Sequence, residues 1–181
     1  MNDFEILIEA QRVMDEEWPK NRSPVSKPEW DETNMKLAVE WSQRSPDSQS
    51  KVGAWLTNYS QEPISGGYNG FPRSVDDSVL PNMRAEKYGK HDWVIHAEKN
   101  AIANAARLGK STLDSIMYLT RKPCGPCLMF MWQCGIREVV YVPIISPMIN
   151  TPDYRIWMEQ FRILTQGKLK LREYNLPNQG V

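Results

Sequence analysis

Two short stretches of the sequence carry residue types that could do chemistry together. His96 stands two residues before Glu98, and Cys124 stands three residues before Cys127 in the run Lys-Pro-Cys-Gly-Pro-Cys. Two cysteines at this spacing suit two different chemistries: a redox dithiol that exchanges electrons between sulfurs, or a pair of thiolate ligands for a metal ion. The spacing of the cysteines alone does not decide between them.

The histidine and the glutamate favour the metal. One imidazole and two thiolates give zinc three protein ligands and leave its fourth tetrahedral position open for water, which is typical of a catalytic site. Zinc lowers the pKa of that water to about 7, and Glu98 can move protons without touching the metal. The pattern H-x-E followed downstream by P-C-x-x-C is the signature of zinc-dependent nucleobase deaminases.

Other interpretations of these residues are weaker. In a thioredoxin-like CGPC redox protein, His96 and Glu98 would have no role. A structural zinc module would need a fourth cysteine or histidine ligand, and the sequence has none that is well placed. Cys134 follows Cys127 by seven residues, about 10 Å along a helix, so we expect a small buried apolar side chain rather than a ligand. His91 is expected to be a solvated loop residue.

Composition limits the function classes. The chain has 181 residues, 41% of them hydrophobic, and its 22 basic residues balance 22 acidic ones. Zero net charge argues against broad nucleic-acid binding, which needs a basic face. Apolar runs fall short of the roughly 20 residues that span a bilayer, and neither a signal-peptide layout nor a disulfide framework is recognisable. The expected protein is cytoplasmic, with no membrane or nucleic-acid partner.

Hydrophobic periodicity predicts an α/β protein. We expect a helical arm and linker over 1–28, the zinc-dependent domain over 29–175 and a tail over 176–181. Residues 70–95 show little periodicity and predict a long surface excursion. Because strands alternate with helices, one mixed sheet covered on both faces is expected. The predicted helices are 29–44, with Trp30, Leu37, Ala38 and Trp41 facing inward, then 97–109, 124–135 and 153–165, and the strands are 52–58, 63–69, 115–120, 138–143 and 168–174.

Several stretches resemble the deoxycytidylate (dCMP) deaminases. They are SQRSPDSQSKVGAWLTN, ISGGYNGFP, VDDSVLPNMRAEKYGK, HAEKNAI, PCGPC and QCGIREVVYV, which together cover about residues 29–143. The resemblance implies a three-layer cytidine-deaminase-like fold, with a five-stranded mixed sheet flanked by helices. It implies hydrolysis of dCMP to dUMP and ammonia, which supplies dUMP for thymidylate synthesis. It also implies a homohexamer that dCTP with Mg²⁺ activates and dTTP inhibits.

The resemblance also assigns residues by position. It implies that His96, Cys124 and Cys127 bind zinc and that Glu98 is the catalytic proton shuttle. Asn69 and Ala97 are implied to contact the substrate, and the regulatory residues are implied to be Tyr68, Asn69, Gly70 and Arg73. The candidates for the 5′-phosphate are Arg44, Lys51, Arg73 and Lys122.

The chain departs from the family pattern in three places. A Ser-Pro-Asp-Ser run stands at 45–48 where the family carries Ser-x-Asp-Pro-Ser, Arg121 and Lys122 stand where relatives often carry an apolar residue, and the last forty residues match poorly. The substrate therefore stays open between dCMP, its 5-methyl or 5-hydroxymethyl forms, dCTP and a base flipped out of nucleic acid. A catalytically silent regulatory subunit is disfavoured by the complete set of His96, Glu98, Cys124 and Cys127.

Overall fold

A computed structural model describes residues 29–76, 78, 90–146 and 149–176. The predicted arm over 1–28 and most of the predicted tail lie outside these residues. Within the described ranges every helix is too short or too polar to traverse a bilayer. The helices are α1 (Trp30–Gln43), α2 (Lys90–Trp93), α3 (Ala97–Arg107), α4 (Gly125–Gln133) and α5 (Pro152–Leu164), and the strands are β1 (Gly53–Asn58), β2 (Pro63–Tyr68), β3 (Ser115–Leu119), β4 (Ile136–Tyr141) and β5 (Lys170–Glu173).

The five strands form one mixed sheet in the order β2-β1-β3-β4-β5. Strand β1 runs antiparallel to both of its neighbours, whereas β3, β4 and β5 are parallel to one another. Strand β2 therefore runs in the same direction as β3 and β4. The chain segments that follow these three strands therefore all begin at the same end of the sheet, where the carboxyl ends of the strands lie.

Alternate side chains of β3 divide the core into two clusters. Ile116 packs in one cluster with Met35 of α1, and Met117 packs in the other with Leu128 of α4 and Phe161 of α5. All five residues of β3 are buried, as expected for a central strand covered on both faces. Helix α1 covers one face, and α3, α4 and α5 cover the other, so the predicted three-layer α/β fold is confirmed.

The inner face of α1 differs from the predicted one. Ala38 is buried as expected, but Trp30 is 58% exposed. Asn34 takes an inner position because its amide oxygen accepts a hydrogen bond from the Trp55 indole at 3.1 Å and its amide nitrogen donates to Gln61 at 2.8 Å. A hydrophobicity pattern misses such a residue, since these two hydrogen bonds are what make burial of the amide tolerable.

The two ends of the predicted excursion over 70–95 are joined to each other. The Ile95 nitrogen donates to the Gly70 oxygen at 2.8 Å, and the Gly70 nitrogen donates to the Ile95 oxygen at 3.2 Å. The chain therefore leaves β2 and returns to the same point, which puts His96 beside the end of that strand. Residues 77 and 79–89 lie outside the described residues, and the short helix α2 near the end of the excursion was not predicted.

Helix α3 rests directly on β2 at Gly67. A Cβ atom added at Gly67 would lie 2.4 Å from the Ala101 nitrogen and 2.5 Å from the Ala97 oxygen, both in the backbone of α3. A backbone atom cannot rotate away as a side chain can, so any side chain at residue 67 must displace the helix. This close approach fixes the height of α3, and of His96 at its start, above the sheet.

We therefore expect Gly67→Ala to lower the free energy of unfolding by about 1 to 3 kcal/mol, as overpacking in a core typically does. Urea denaturation followed by circular dichroism measures the loss. Gly70→Ala is the matched control, because its Cβ would meet its nearest neighbours at an ordinary 3.4 Å. Equal losses in the two variants would contradict the inferred contact between α3 and β2.

Candidate active site

The three predicted metal ligands lie at the starts of two neighbouring helices. His96 is the N-cap residue of α3, Cys124 is the N-cap residue of α4, and Cys127 lies in the first turn of α4. Their ligand atoms all lie within 4.8 Å of one another. Among the described residues, no other group of three histidine, cysteine or acidic side chains is placed to hold a metal ion.

The distances fit a zinc ion. The Nδ1 atom of His96 lies 3.7 Å from the sulfur of Cys124 and 3.3 Å from the sulfur of Cys127. A tetrahedral zinc with its usual bond lengths to sulfur and nitrogen separates such ligand atoms by about 3.6 Å. Cys134 is partly buried, ends α4 and stays outside the ligand group, so its exclusion from the metal site agrees with the spacing argument.

Hydrogen bonds shift the pKa values of the two cysteine thiols in opposite directions. The hydrogen bonds from Cys127 and His96 lower the pKa of Cys124 to about 4, whereas the hydrogen bond to Cys124 and burial raise the pKa of Cys127. The pKa of His96 is raised, chiefly by its hydrogen bond with Cys124. Cys124 is therefore the more acidic of the two thiols, and a metal ion deprotonates the thiols that coordinate it outright.

Glu98 lies in the first turn of α3 and lines a cavity in front of the ligands. Its side chain is almost fully enclosed, with 5% of the residue exposed, and burial raises the pKa of the carboxyl group. A carboxyl group with a raised pKa can both accept and release a proton near neutral pH. Glu98 is not among the ligand group itself, which leaves it available for proton transfer.

The cavity has a volume of about 780 Å³, within the range of about 300 to 1,000 Å³ typical of small-molecule sites. The starts of α3, α4 and α5 form its walls, together with the loop between α1 and β1. It therefore opens beyond the carboxyl ends of the strands, where ligands bind in α/β sheets. Of the residues predicted from sequence, the cavity is lined by Asn69, His96, Ala97, Glu98, Lys122 and Cys124.

Asn69 combines contact with the cavity and a structural role. Its side-chain oxygen accepts from the Val52 nitrogen and its amide nitrogen donates to the Ser50 oxygen, both at 2.7 Å. These bonds tie the loop before β1 to the end of β2. An amide group has two donors and two acceptor sites, so capacity remains for a ligand in the cavity.

The predicted phosphate contacts separate into two groups. Lys122 lines the cavity, but Arg44, Lys51 and Arg73 are not among the described residues that do. Arg73 instead donates to the side-chain oxygen of Asn104 at 3.1 Å. Arg121, which the sequence singled out only as a departure from the family pattern, lines the cavity beside Lys122.

Two of the predicted regulatory residues, Tyr68 and Gly70, contact elements that flank the cavity. The ring of Tyr68 stacks on Trp41 of α1, with ring centroids 6.2 Å apart, and its carbonyl oxygen accepts from the Asn100 side chain at 2.7 Å. Gly70 pairs with Ile95, directly before His96. The side chain of His91 lies outside the described residues.

Helix α5 adds an aromatic wall that sequence reasoning missed. Tyr154 and Trp157 both line the cavity. Burial raises the pKa of Tyr154 to about 12, so its hydroxyl stays protonated and can donate. The spacing of the two aromatic residues marks one face of a helix, but nothing local in the sequence says that this face meets the cysteine loop.

Fold and site together define a class of protein. A mixed five-stranded sheet that carries H-x-E and P-C-x-x-C at adjacent helix starts is typical of the zinc-dependent nucleobase deaminases. Residues 28–143 match the family model described as the cytidine and deoxycytidylate deaminase zinc-binding region. The chain belongs to this family, which confirms the resemblance seen in the sequence.

Named relatives agree with the family. The chain is 38% identical over 120 residues to the deoxycytidylate deaminase of Homo sapiens, an alignment that spans 63% of this chain and 65% of the human protein. It is 32% identical over 127 residues to that of Mycobacterium phage D29, spanning 65% of this chain and 97% of the phage protein. The chain thus spans just under two thirds of the length of its human relative.

A solved structure extends the likeness to the fold. The dCMP deaminase of the cyanophage S-TIM5, in complex with dCMP and dUMP, superposes with a TM-score of 0.63 at 27% identity. The superposition covers 83% of this chain and 100% of the cyanophage chain. The fold of this chain is therefore similar to that of a nucleotide deaminase over the whole length of the cyanophage chain.

We expect the purified protein to retain about one zinc ion per chain after dialysis against a weak chelator, measured by elemental analysis. Cys124→Ala and Cys127→Ala should each lose the metal, because two protein ligands hold zinc poorly. Cys134→Ala is the control and should retain it. A disulfide between Cys124 and Cys127 in a zinc-free protein would revive the redox interpretation.

Proposed function

We propose that the protein hydrolyses dCMP to dUMP and ammonia in this cavity and so supplies dUMP for thymidylate synthesis. The observation that carries the proposal is the buried Glu98 carboxyl group beside three metal ligands, in a cavity with cationic side chains on its wall. Family membership supports a zinc-dependent deaminase, and relatives named deoxycytidylate deaminases support this substrate.

Each side chain has a defined task in the proposed reaction. When bound by His96, Cys124 and Cys127, zinc supplies Lewis-acid activation of water near neutral pH. The Glu98 carboxylate would accept a proton from the attacking water and donate it to ring nitrogen N3 of cytosine, as the water oxygen bonds to ring carbon C4. The same carboxyl group would then pass the proton of the new C4 hydroxyl group to the amino group, so that the C4–N4 bond breaks, the C4 carbonyl group forms and ammonia leaves. Because burial raises the pKa of Glu98, the carboxyl group can hold a proton between these steps.

The nucleotide is proposed to lie with its phosphate near Arg121 and Lys122. The Lys122 ammonium lies 5.8 Å from the ring centroid of Tyr141 and 5.9 Å from that of Tyr154, and such cation–π contacts hold a charge in place. Arg121 donates one hydrogen bond to the Ser50 hydroxyl at 2.8 Å. A guanidinium carries five N–H donors, and among the described residues this hydrogen bond uses one of them, which leaves donors for phosphate oxygens.

We further propose that dCTP with Mg²⁺ activates a homohexamer and that dTTP inhibits it. A triphosphate beside Tyr68 and Gly70 would act on the Gly70–Ile95 pair, which directly precedes His96, and on Asn69 at the cavity wall. Effectors shift such an equilibrium through different contacts in two states. Saturation curves for dCMP with each triphosphate, alongside the light-scattering mass, test this; a monomer with unchanged hyperbolic curves contradicts it.

Glu98→Gln should lower kcat by about 10² to 10⁴, the usual contribution of general acid–base catalysis, while zinc content and fold are retained. Steady-state ultraviolet assays and elemental analysis measure the two quantities. Glu138→Gln is the control, because Glu138 is also buried, at 7% exposed, but pairs with Arg172 on β4 and β5. If Glu98→Gln turned over dCMP at the wild-type rate, the proton-transfer role would be excluded.

Substrate choice is tested by comparing kcat/KM for dCMP, deoxycytidine, dCTP and the 5-methyl and 5-hydroxymethyl forms of dCMP. The value of kcat/KM should be higher for dCMP than for deoxycytidine. Lys122→Met should lower kcat/KM about tenfold or more for dCMP but not for deoxycytidine, which has no phosphate, because a hydrogen bond to a charged group contributes about 1.5 to 3 kcal/mol. Arg44→Gln, outside the cavity lining, is the control. Equal values for dCMP and deoxycytidine in the wild type would move the protein to another branch of the family.

A further inference from the structure

The start of α5 holds the peptide group that precedes Cys124. The Tyr154 hydroxyl donates a hydrogen bond to the Pro123 carbonyl oxygen at 2.7 Å. That carbonyl belongs to the peptide group whose nitrogen is the backbone nitrogen of Cys124. The bond therefore restrains the orientation of the peptide plane from which the Cys124 side chain projects.

The same helix also covers the residue that follows Cys124. The indole ring of Trp157 lies so close to Gly125 that an added Cβ atom would meet three ring carbons at 3.2 Å. The ring thus packs against the Gly125 α-carbon. Both neighbours of Cys124 in the chain are in contact with α5, one through a hydrogen bond and the other through van der Waals packing.

The aromatic residues of α5 are themselves anchored in the core. Tyr154, Trp157 and Phe161 share one face of the helix, and successive rings stack with centroids 6.3 and 5.1 Å apart. Phe161 is 8% exposed and belongs to the same core cluster as Leu128 of α4. Thr151 is the N-cap residue of the helix, and its side-chain oxygen accepts from the Tyr154 nitrogen at 3.1 Å. Tyr154 and Trp157 therefore have little freedom to move away from the cysteine loop.

Cys124 depends on such support more than the other two ligands do. Cys127 lies inside α4, and His96 follows the paired residues Gly70 and Ile95. Cys124 precedes the helix in an extended conformation, with φ −80° and ψ 163°. Its own carbonyl oxygen accepts from Leu128 at 3.0 Å, so the peptide group on its N-terminal side is the part that α4 does not restrain.

We propose that Tyr154 is a positioning residue of the metal site, which holds Cys124 through the Pro123 carbonyl group, with Trp157 supporting the loop from Gly125. The inference rests on the zinc site of the proposed function. Residues that orient metal ligands typically contribute about 10- to 100-fold in metal affinity or activity. Helix α5 lies beyond residues 28–143 of the family match, so the assignment comes from the tertiary contacts of this chain.

The test is the metal affinity of Tyr154→Phe, which removes the donor oxygen and keeps the ring in the aromatic stack. We expect the zinc dissociation constant, measured by chelator competition, to rise about 10-fold or more. The absorption bands of the Co²⁺-substituted protein should also shift, since they report ligand geometry. Tyr141→Phe is the matched control, because the Tyr141 ring also lies near Lys122 but its hydroxyl donates to Glu173 at 3.0 Å.

The outcomes separate this inference from the proposed function. Unchanged zinc affinity and an unchanged Co²⁺ spectrum in Tyr154→Phe would overturn it, as would equal changes in Tyr141→Phe. If Tyr154→Phe does not fold, Trp157→Leu takes its place with the same expected direction. Both metal measurements are made without substrate, so a wild type that binds zinc but does not deaminate dCMP contradicts the proposed function and leaves this inference standing.

Discussion

Three helices begin beyond the same end of the strands of one sheet, and every feature of the site depends on that arrangement. Strands β2, β3 and β4 run in the same direction, so α3, α4 and α5 start side by side beyond their carboxyl ends. Unpaired backbone N–H groups at helix starts favour negative charge. Such a location suits two thiolates and a carboxylate, which would be costly elsewhere in a protein interior.

Each helix start contributes a different element of the site. Helix α3 brings His96 and the buried Glu98, α4 brings the two cysteines, and α5 brings the aromatic residues that hold the cysteine loop. The close approach at Gly67 sets α3 on the sheet, and the packing of the Trp157 ring on Gly125 sets α5 against α4. The ligand atoms converge because these helices are packed on a common core, so the site geometry is a consequence of core packing.

The opposite face of the sheet carries a polar clamp that helps to keep β5 in place. Arg172 of β5 makes two hydrogen bonds to the Asp31 carboxylate of α1 and one to Glu138 of β4, and Tyr118 also donates to Asp31. The hydrogen bonds from Arg172 hold the pKa of Asp31 below its usual range. Because Arg172 is partly exposed, each ion pair contributes modestly, but together they tie a four-residue edge strand to α1 and β4.

The amino-acid sequence by itself determined the α/β class, most of the helices and strands, and the four residues His96, Glu98, Cys124 and Cys127. These features depend on local periodicity, on helix-start and helix-end signals and on short spacings, all of which neighbours in the chain define. Gly135 illustrates this, since it adopts the positive φ of 86° expected of a glycine directly after a helix C-cap.

The tertiary structure alone decided which cations face the cavity and which aromatic residues support the metal ligands. Arg44 and Lys122 are both cationic, but Lys122 follows a strand that ends at the cavity, whereas Arg44 ends a helix on the other face of the sheet. Tyr154 meets Pro123 across 31 positions of the chain. Such contacts depend on how separate elements pack together, and no local pattern of residues encodes that packing.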